Sequence, residues 1–156
     1  WKEEAAKRGL NNEPSTPRAL DAYVSEASLK MFESLNVMSK REAEARHEIL
    51  LESYFMRIQI ESRVLGDLAG NHIVPTAIKY QNVLIDNVQR LKEIMDEATF
   101  NTVAKEQLEM IKDISARISK ILASKDAMIQ ARKQANALED VREKAIAYST
   151  NPFTTD

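Results

Sequence analysis

Gln107, Ile111, Ile114, Ile118, Ile121, Lys125, Met128, Arg132 and Ala135 recur at alternating steps of three and four residues, with no glycine or proline among them. That spacing returns to one side of an α-helix at every turn, whereas a strand would throw neighbouring members onto opposite faces. Leu108, Leu122 and Ile129 widen the stripe beyond a bare coiled-coil seam. A helix of about 35 residues here is about 50 Å long at 1.5 Å per residue. In water it is marginal by itself, because nucleation is costly, while each buried Leu or Ile side chain gains about 1.5–3 kcal/mol. The stripe therefore demands a partner helix.

The chain supplies one. Leu51, Tyr54, Ile58, Leu65 and Leu68 share a helix face, and Ala77, Gln81, Leu84, Val88, Leu91 and Met95 resume it beyond Pro75. A proline inside a helix removes a donor and crowds the carbonyl four residues earlier, which predicts a kink or break over 71–76. A turn over 97–101 makes antiparallel packing of the two stripes the shortest connection. Ser39-Lys40-Arg41-Glu42 is a capping box that starts the first long helix. Upstream, Gly9 to Pro14 reads as a loop and Thr16-Pro17 as an N-cap with proline behind it. The short helix that follows carries Leu20, Tyr23 and Val24, and Ser25 caps another, through Leu29, Met31, Phe32 and Leu35 to about Asn36. A last helix, Val141 to Tyr148, follows a weak point at Ala137–Asp140 and is stopped by Asn151-Pro152. The expected fold is all-α: an elongated antiparallel bundle or hairpin of long helices with an N-terminal cuff of short ones. Residues 1–38 read as a connector and 39–156 as the long-helix bundle.

Composition closes off the other classes. With 156 residues the chain fits one domain, and three glycines cannot supply the turns of a β-sandwich or barrel. Twenty-two Lys+Arg against 24 Asp+Glu leave a net charge of −2, which gives no electrostatic reason to expect nucleic acid. Zero cysteines exclude disulfides and thiolate chemistry and suit a reducing, cytoplasmic setting. The uncharged run Leu68 to Ile78 is too short and polar for a membrane span, so no membrane partner is expected. Trp1-Lys2-Glu3-Glu4 opens the chain without a starting Met or signal peptide, which reads as a piece of something longer.

Several motifs carry possible chemistry. Glu44-Ala45-Arg46-His47 puts a carboxylate and an imidazole on one helix face, as di-iron bundles require. Those sites need two such motifs and two further glutamates, and three residues before the other histidine, His72, stands Ala69. His72 is titratable near neutral pH, but the sequence fixes no partner for it. The expectation is that Asn71 and His72 satisfy backbone groups freed by Pro75. Gly66-Asp67-Leu68-Ala69-Gly70 is a GxxxG whose charge argues against a membrane dimer and for close packing of a neighbouring helix. Glu61, between Ile58 and Leu65, is expected to pair with an arginine or face water, and Glu106, Glu109, Lys112 and Asp113 to form a solvated face. No glycine-rich phosphate loop, nucleophile elbow or HExxH motif occurs. No catalytic, cofactor-binding or metal-ligating residue is assigned.

The stretch Ile58-Gln59-Ile60-Glu61-Ser62-Arg63-Val64-Leu65-Gly66-Asp67-Leu68-Ala69, continued by Asn71-His72-Ile73-Val74-Pro75-Thr76-Ala77-Ile78-Lys79-Tyr80-Gln81-Asn82, resembles the C-terminal region of type III glutamine synthetases. Glu4 to Leu10, Thr16 to Val24, Leu84 to Ile94, Ala131 to Asn136 and Arg142 to Tyr148 extend the likeness over nearly the whole chain. The resemblance implies a parent enzyme that joins glutamate and ammonia at the expense of ATP, with a divalent metal (Mg or Mn), through a γ-glutamyl phosphate. It implies large two-ring oligomers, whose catalytic fold lies N-terminal to this region. The expected partners are that catalytic domain and neighbouring subunits. The metal-ligating glutamates and ATP-contacting residues belong to the missing part, so the fragment is expected to be inactive alone and to hold no cofactor. After Tyr148 the chain departs from the family and stops before its closing segment; were that segment a helix, part of the apolar stripe would be left bare. A free-standing helical interaction module is the alternative reading, and a metal-binding four-helix bundle a third, which bound iron or manganese would reveal.

Overall fold

The first long helix starts where Ser39 and Glu42 cap each other: the Ser39 N–H donates to Glu42 Oε2 at 2.7 Å, and the Glu42 N–H to Ser39 Oγ at 3.4 Å. These bonds satisfy backbone donors that the first turn leaves free. The Ser39 N–H, together with the Ser39 hydroxyl donating to the same carboxylate oxygen at 2.8 Å, holds the Glu42 carboxyl below its usual range. The computed structural model describes residues 1–150, so the expected stop at Asn151-Pro152 lies outside the described residues. In chain order the helices are α1 (Lys2–Lys7), α2 (Thr16–Leu20), a 3₁₀ turn (Asp21–Val24), α3 (Glu26–Ser34), α4 (Lys40–Leu68), a π turn (Ala69–Ile73), α5 (Val74–Ile94), α6 (Glu97–Val103), α7 (Lys105–Asn136) and α8 (Val141–Tyr148). No strand occurs among the described residues, and the fold is all-α as the periodicity demands.

Local details depart from the sequence reading in four places. The N-cap of α2 is Ser15, so Thr16 is already helical and Pro17 follows it, buried. Residues 97–101, expected as a turn, belong to α6, because Asp96 accepts the Thr99 N–H at 3.1 Å and starts a helix there; the link bends at Met95–Asp96 and again at Ala104. Pro75 does not break the helix. α4 runs on through a π turn into α5 without a break, and the shifted bonding of that turn, in which the Val74 N–H reaches the Ala69 carbonyl, accommodates the N–H that Pro75 lacks. Finally, Leu65 and Leu68 are 55% and 45% exposed, while Leu51 is buried and Tyr54 and Ile58 half-buried. Small residues, Gly66 and Ala69, hold the centre of the face because the partner helix runs directly over them, and the leucines stand at its rim.

The described chain forms two compact units. The first comprises residues 1–62 and the chain from 130 onward. Its largest fully buried side chains are Tyr148, Leu51 and Pro17, joined by Ala5, Ala43, Ala135 and Ala145. The second, residues 63–129, is an antiparallel hairpin. Gly66 faces Met128 and Lys125; Gln81 Nε2 donates to the Ile111 carbonyl at 2.9 Å and also to Ser115 Oγ; Asn87 Nδ2 donates to Gln107 Oε1 at 2.7 Å. Descending partners along α7 against ascending positions on α4 and α5 define the antiparallel sense. The Gln107–Ala135 stripe lies buried or half-buried throughout, as its spacing requires.

Candidate functional site

Asp21 collects the ion pairs that join distant parts of the sequence. Four of the six pairs among the described residues lie four residues apart on a single helix; the other two both end on Asp21. Arg142, at the start of α8, donates from Nε at 3.0 Å and from Nη2 at 2.6 Å, the forked geometry that suits a carboxylate. On the other side His47 Nε2 of α4 lies 3.2 Å from Asp21 Oδ1, near enough for attraction when the ring is charged. It is too poorly aligned for a good hydrogen bond. Arg142's hydrogen bonds hold the Asp21 carboxyl below the usual carboxylate range; partial burial opposes them, and the charges of Arg142 and His47 add to them. Asp140 caps α8 by accepting the Glu143 N–H at 2.7 Å and so fixes where Arg142 begins its reach. Beside the cluster is a hollow of about 420 Å³ walled by Glu44, His47, Glu48, Leu51, Glu139 and Arg142, among others.

A second knot closes the same unit. Tyr148 is fully buried, and its hydroxyl donates to Asn136 Oδ1 at 2.7 Å, which also accepts Gln59 Nε2 at 2.9 Å. The Phe55 ring stacks on Tyr148 at 6.1 Å, and Lys144 stands over Phe55 at 5.6 Å. Ser15 Oγ donates to Ser149 Oγ at 3.2 Å, fastening the entry to α2 beside α8. Burying a hydroxyl costs free energy unless it is bonded, and here it is bonded. The arrangement positions helices; it presents no nucleophile beside a base.

The residues singled out by spacing fare differently. His47 turns to Asp21 and not to Glu44, which pairs with Lys40 at 3.8 Å. Asn71 does not serve the backbone near Pro75: its amide donates to Asp67 Oδ1, and the π turn rearranges the backbone bonding instead. His72 is exposed at a shallow apolar notch with Ile73, Thr76, Ala77 and Tyr80. Glu61 faces water and, after burial itself, is the second influence that raises the Tyr54 pKa. Gly66 and Gly70 do receive a neighbouring helix: a Cβ on Gly66 would stand 3.4 Å from Met128 Cε, and one on Gly70 3.5 Å from Lys125 Nζ. Glu106, Glu109, Lys112 and Asp113 are exposed, and Asp113 pairs with Arg117. Asp21 and Arg142 were not foreseen, since nothing in the spacing of two residues 121 apart announces that they meet. Among the described residues no three His, Asp or Glu side chains are grouped to hold a metal ion, and no helix is long and apolar enough to cross a membrane.

Known proteins account for this chain. Residues 1–92 match the family model of the glutamine synthetase C-terminal domain. A glutamine synthetase of Bacteroides fragilis (strain YCH46) is 46% identical over 148 residues, 95% of this chain and 20% of the relative. The type-3 glutamine synthetase of Dictyostelium discoideum is 30% identical over 134 residues, 86% of this chain and 18% of that one. A glutamine synthetase of Butyrivibrio fibrisolvens is 25% identical over 150 residues, 96% and 21% of the two chains. The chain thus spans about a fifth of the length of these curated relatives. With more than half its residues inside the family model, the chain belongs to the glutamine synthetase C-terminal domain family.

Proposed function

We propose that this chain is the C-terminal helical part of a type III glutamate–ammonia ligase, that it supports the catalytic domain and the contacts between neighbouring subunits of a homo-oligomer, and that it performs no chemistry alone. The observation that carries this reading is the family match combined with coverage: nearly all of this chain aligns to only a fifth of relatives named glutamine synthetase. A type-3 relative favours the type III assignment. Glutamate, ammonia, ATP and Mg²⁺ or Mn²⁺ are then the business of the longer protein. The described residues do not fit those groups: they offer no set of three acidic or imidazole ligands, and the sequence has no glycine-rich phosphate loop. No catalytic step is assigned to them. A cysteine-free chain is consistent with the cytoplasm as its compartment.

The test uses two proteins. The purified chain, given glutamate, ammonia, ATP and Mg²⁺ or Mn²⁺, is expected to form no glutamine; metal-dependent product from it overturns the reading. The longer relative from Bacteroides fragilis with the matching region removed is expected to lose assembly, measured by sedimentation, and activity with it. Unchanged assembly and activity after removal would deny the region a supporting role.

A further inference from the structure

We propose that His47 and Asp21 form a proton-operated latch: with the imidazole charged, the 3₁₀ turn Asp21–Val24 is held against α4, and with it neutral the turn opens more readily. Both groups belong to the first unit. His47 Nε2 lies 3.2 Å from Asp21 Oδ1, is cut off from water and has no hydrogen-bond partner. Alignment decides the strength of a hydrogen bond, whereas attraction between opposite charges depends on separation alone. The contact is therefore weak for a neutral ring and stronger for a charged one. Histidine is the side chain whose ordinary chemistry makes that change between about pH 5 and 8.

The charges around the ring come from every element that packs there. The 3₁₀ turn contributes Asp21, α8 contributes Arg142, the ring's own helix Glu44 and Glu48, and the link before α8 Glu139 and Asp140. Arg142 offsets Asp21, and Lys40 stands 3.8 Å from Glu44. Glu48, Glu139 and Asp140 have no cation in ion-pair range among the described residues, so the field at the hollow is negative and favours a positive charge on its wall. The Asp21 carboxyl, held low first by the hydrogen bonds of Arg142, is lowered also by the His47 charge, and such an influence is mutual. A proton on His47 is thus bound more tightly with the turn docked than with it open. Docking is strengthened below the pH at which the ring takes its proton and weakens as pH rises through it. The latch belongs to this chain's own fold and stands apart from the reaction of the longer protein.

The experiment is hydrogen exchange of the 156-residue chain at about pH 5.5 and about pH 8, each rate divided by that of unstructured peptide at the same pH. Amides of 21–25 are expected to be about fivefold better protected at the lower pH, the scale of a partly exposed ion pair. His47→Gln and Asp21→Asn should each remove that difference, with circular dichroism confirming that the helices persist. His72→Gln, at the other of the chain's two histidines, should leave it. A second reading needs no variant: in the unmodified chain, protection should follow proton uptake by the His47 ring, seen by NMR, and not that by His72. Equal protection at the two pH values, a difference that survives His47→Gln, or one that follows His72 overturns the inference. None of these results touches the glutamine assay, so failure here and failure of the proposed function are separable.

Discussion

Asp21 joins three elements that the sequence keeps far apart: its own 3₁₀ turn, α4 through His47 and α8 through Arg142. Its carboxyl titrates below the ordinary range because Arg142 donates to it, so the stabilising charge is fully present above the unfolded-state pKa and is lost as pH falls through the lower folded value. Asp21→Asn should therefore reduce stability by about 1 kcal/mol at neutral pH, the scale of a partly exposed forked pair. Urea unfolding checks this, and the difference from the unmodified chain should vanish well below the carboxylate range. Tyr148→Phe keeps the ring on Phe55 but removes the hydroxyl that Asn136 accepts, and should cost about 1 kcal/mol by the same measurement. His47 was legible as a functional-looking residue from its place in Glu44-x-x-His47, but its real partner comes from the short-helix connector. Helix-face spacing reports only what a residue meets on its own helix.

At the scale of elements, the π turn is the feature whose logic is easiest to test. Eight residues of uninterrupted α-helix would rotate Val74 about 80° from Gly66; absorbing one residue in the π turn brings it back to within about 20°. Gly66 and the buried Val74 thereby stay on the face that meets α7. Deleting Asn71, inside the turn, should leave a plain α-helix in register and a thermal midpoint close to the original. Deleting Asn82 from the middle of α5 should rotate the rest of the buried face away and lower the midpoint steeply. Gly66 gives a second test. Its Cβ position is 3.4 Å from a flexible methionine tip, so Gly66→Ala should fit and stabilise by about 0.5–1 kcal/mol through helix propensity. Gly66→Leu should cost about 1–3 kcal/mol through overpacking, both read by chemical denaturation.

Across the whole molecule the two units bury different material. The first encloses Tyr148, Leu51 and Pro17, whereas the hairpin buries Ala69, Val74, Val88, Ala104 and Met128 and leaves larger side chains such as Tyr80 and Ile94 half or more exposed. Less apolar burial means easier opening, so amide hydrogens of 77–91 should exchange faster than those of 47–58 in hydrogen-exchange measurements on the chain. Apolar spacing and capping motifs by themselves determined the long helices α4, α5 and α7, the Ser39 cap and the antiparallel hairpin, because periodicity and capping act over three or four neighbouring residues, which a sequence displays directly; the short helices α1 and α6 carry no such stripe and were not legible. The tertiary structure alone decided that Gly66 and Ala69, not Leu65 and Leu68, hold the centre of the face, that Pro75 is answered by a π turn, and that Asp21 meets Arg142 across 121 residues. Each of those depends on how closely a second helix approaches and on where the chain returns after a long loop. That is settled by the sum of packing and loop closure over the whole fold, which no local run of residues contains.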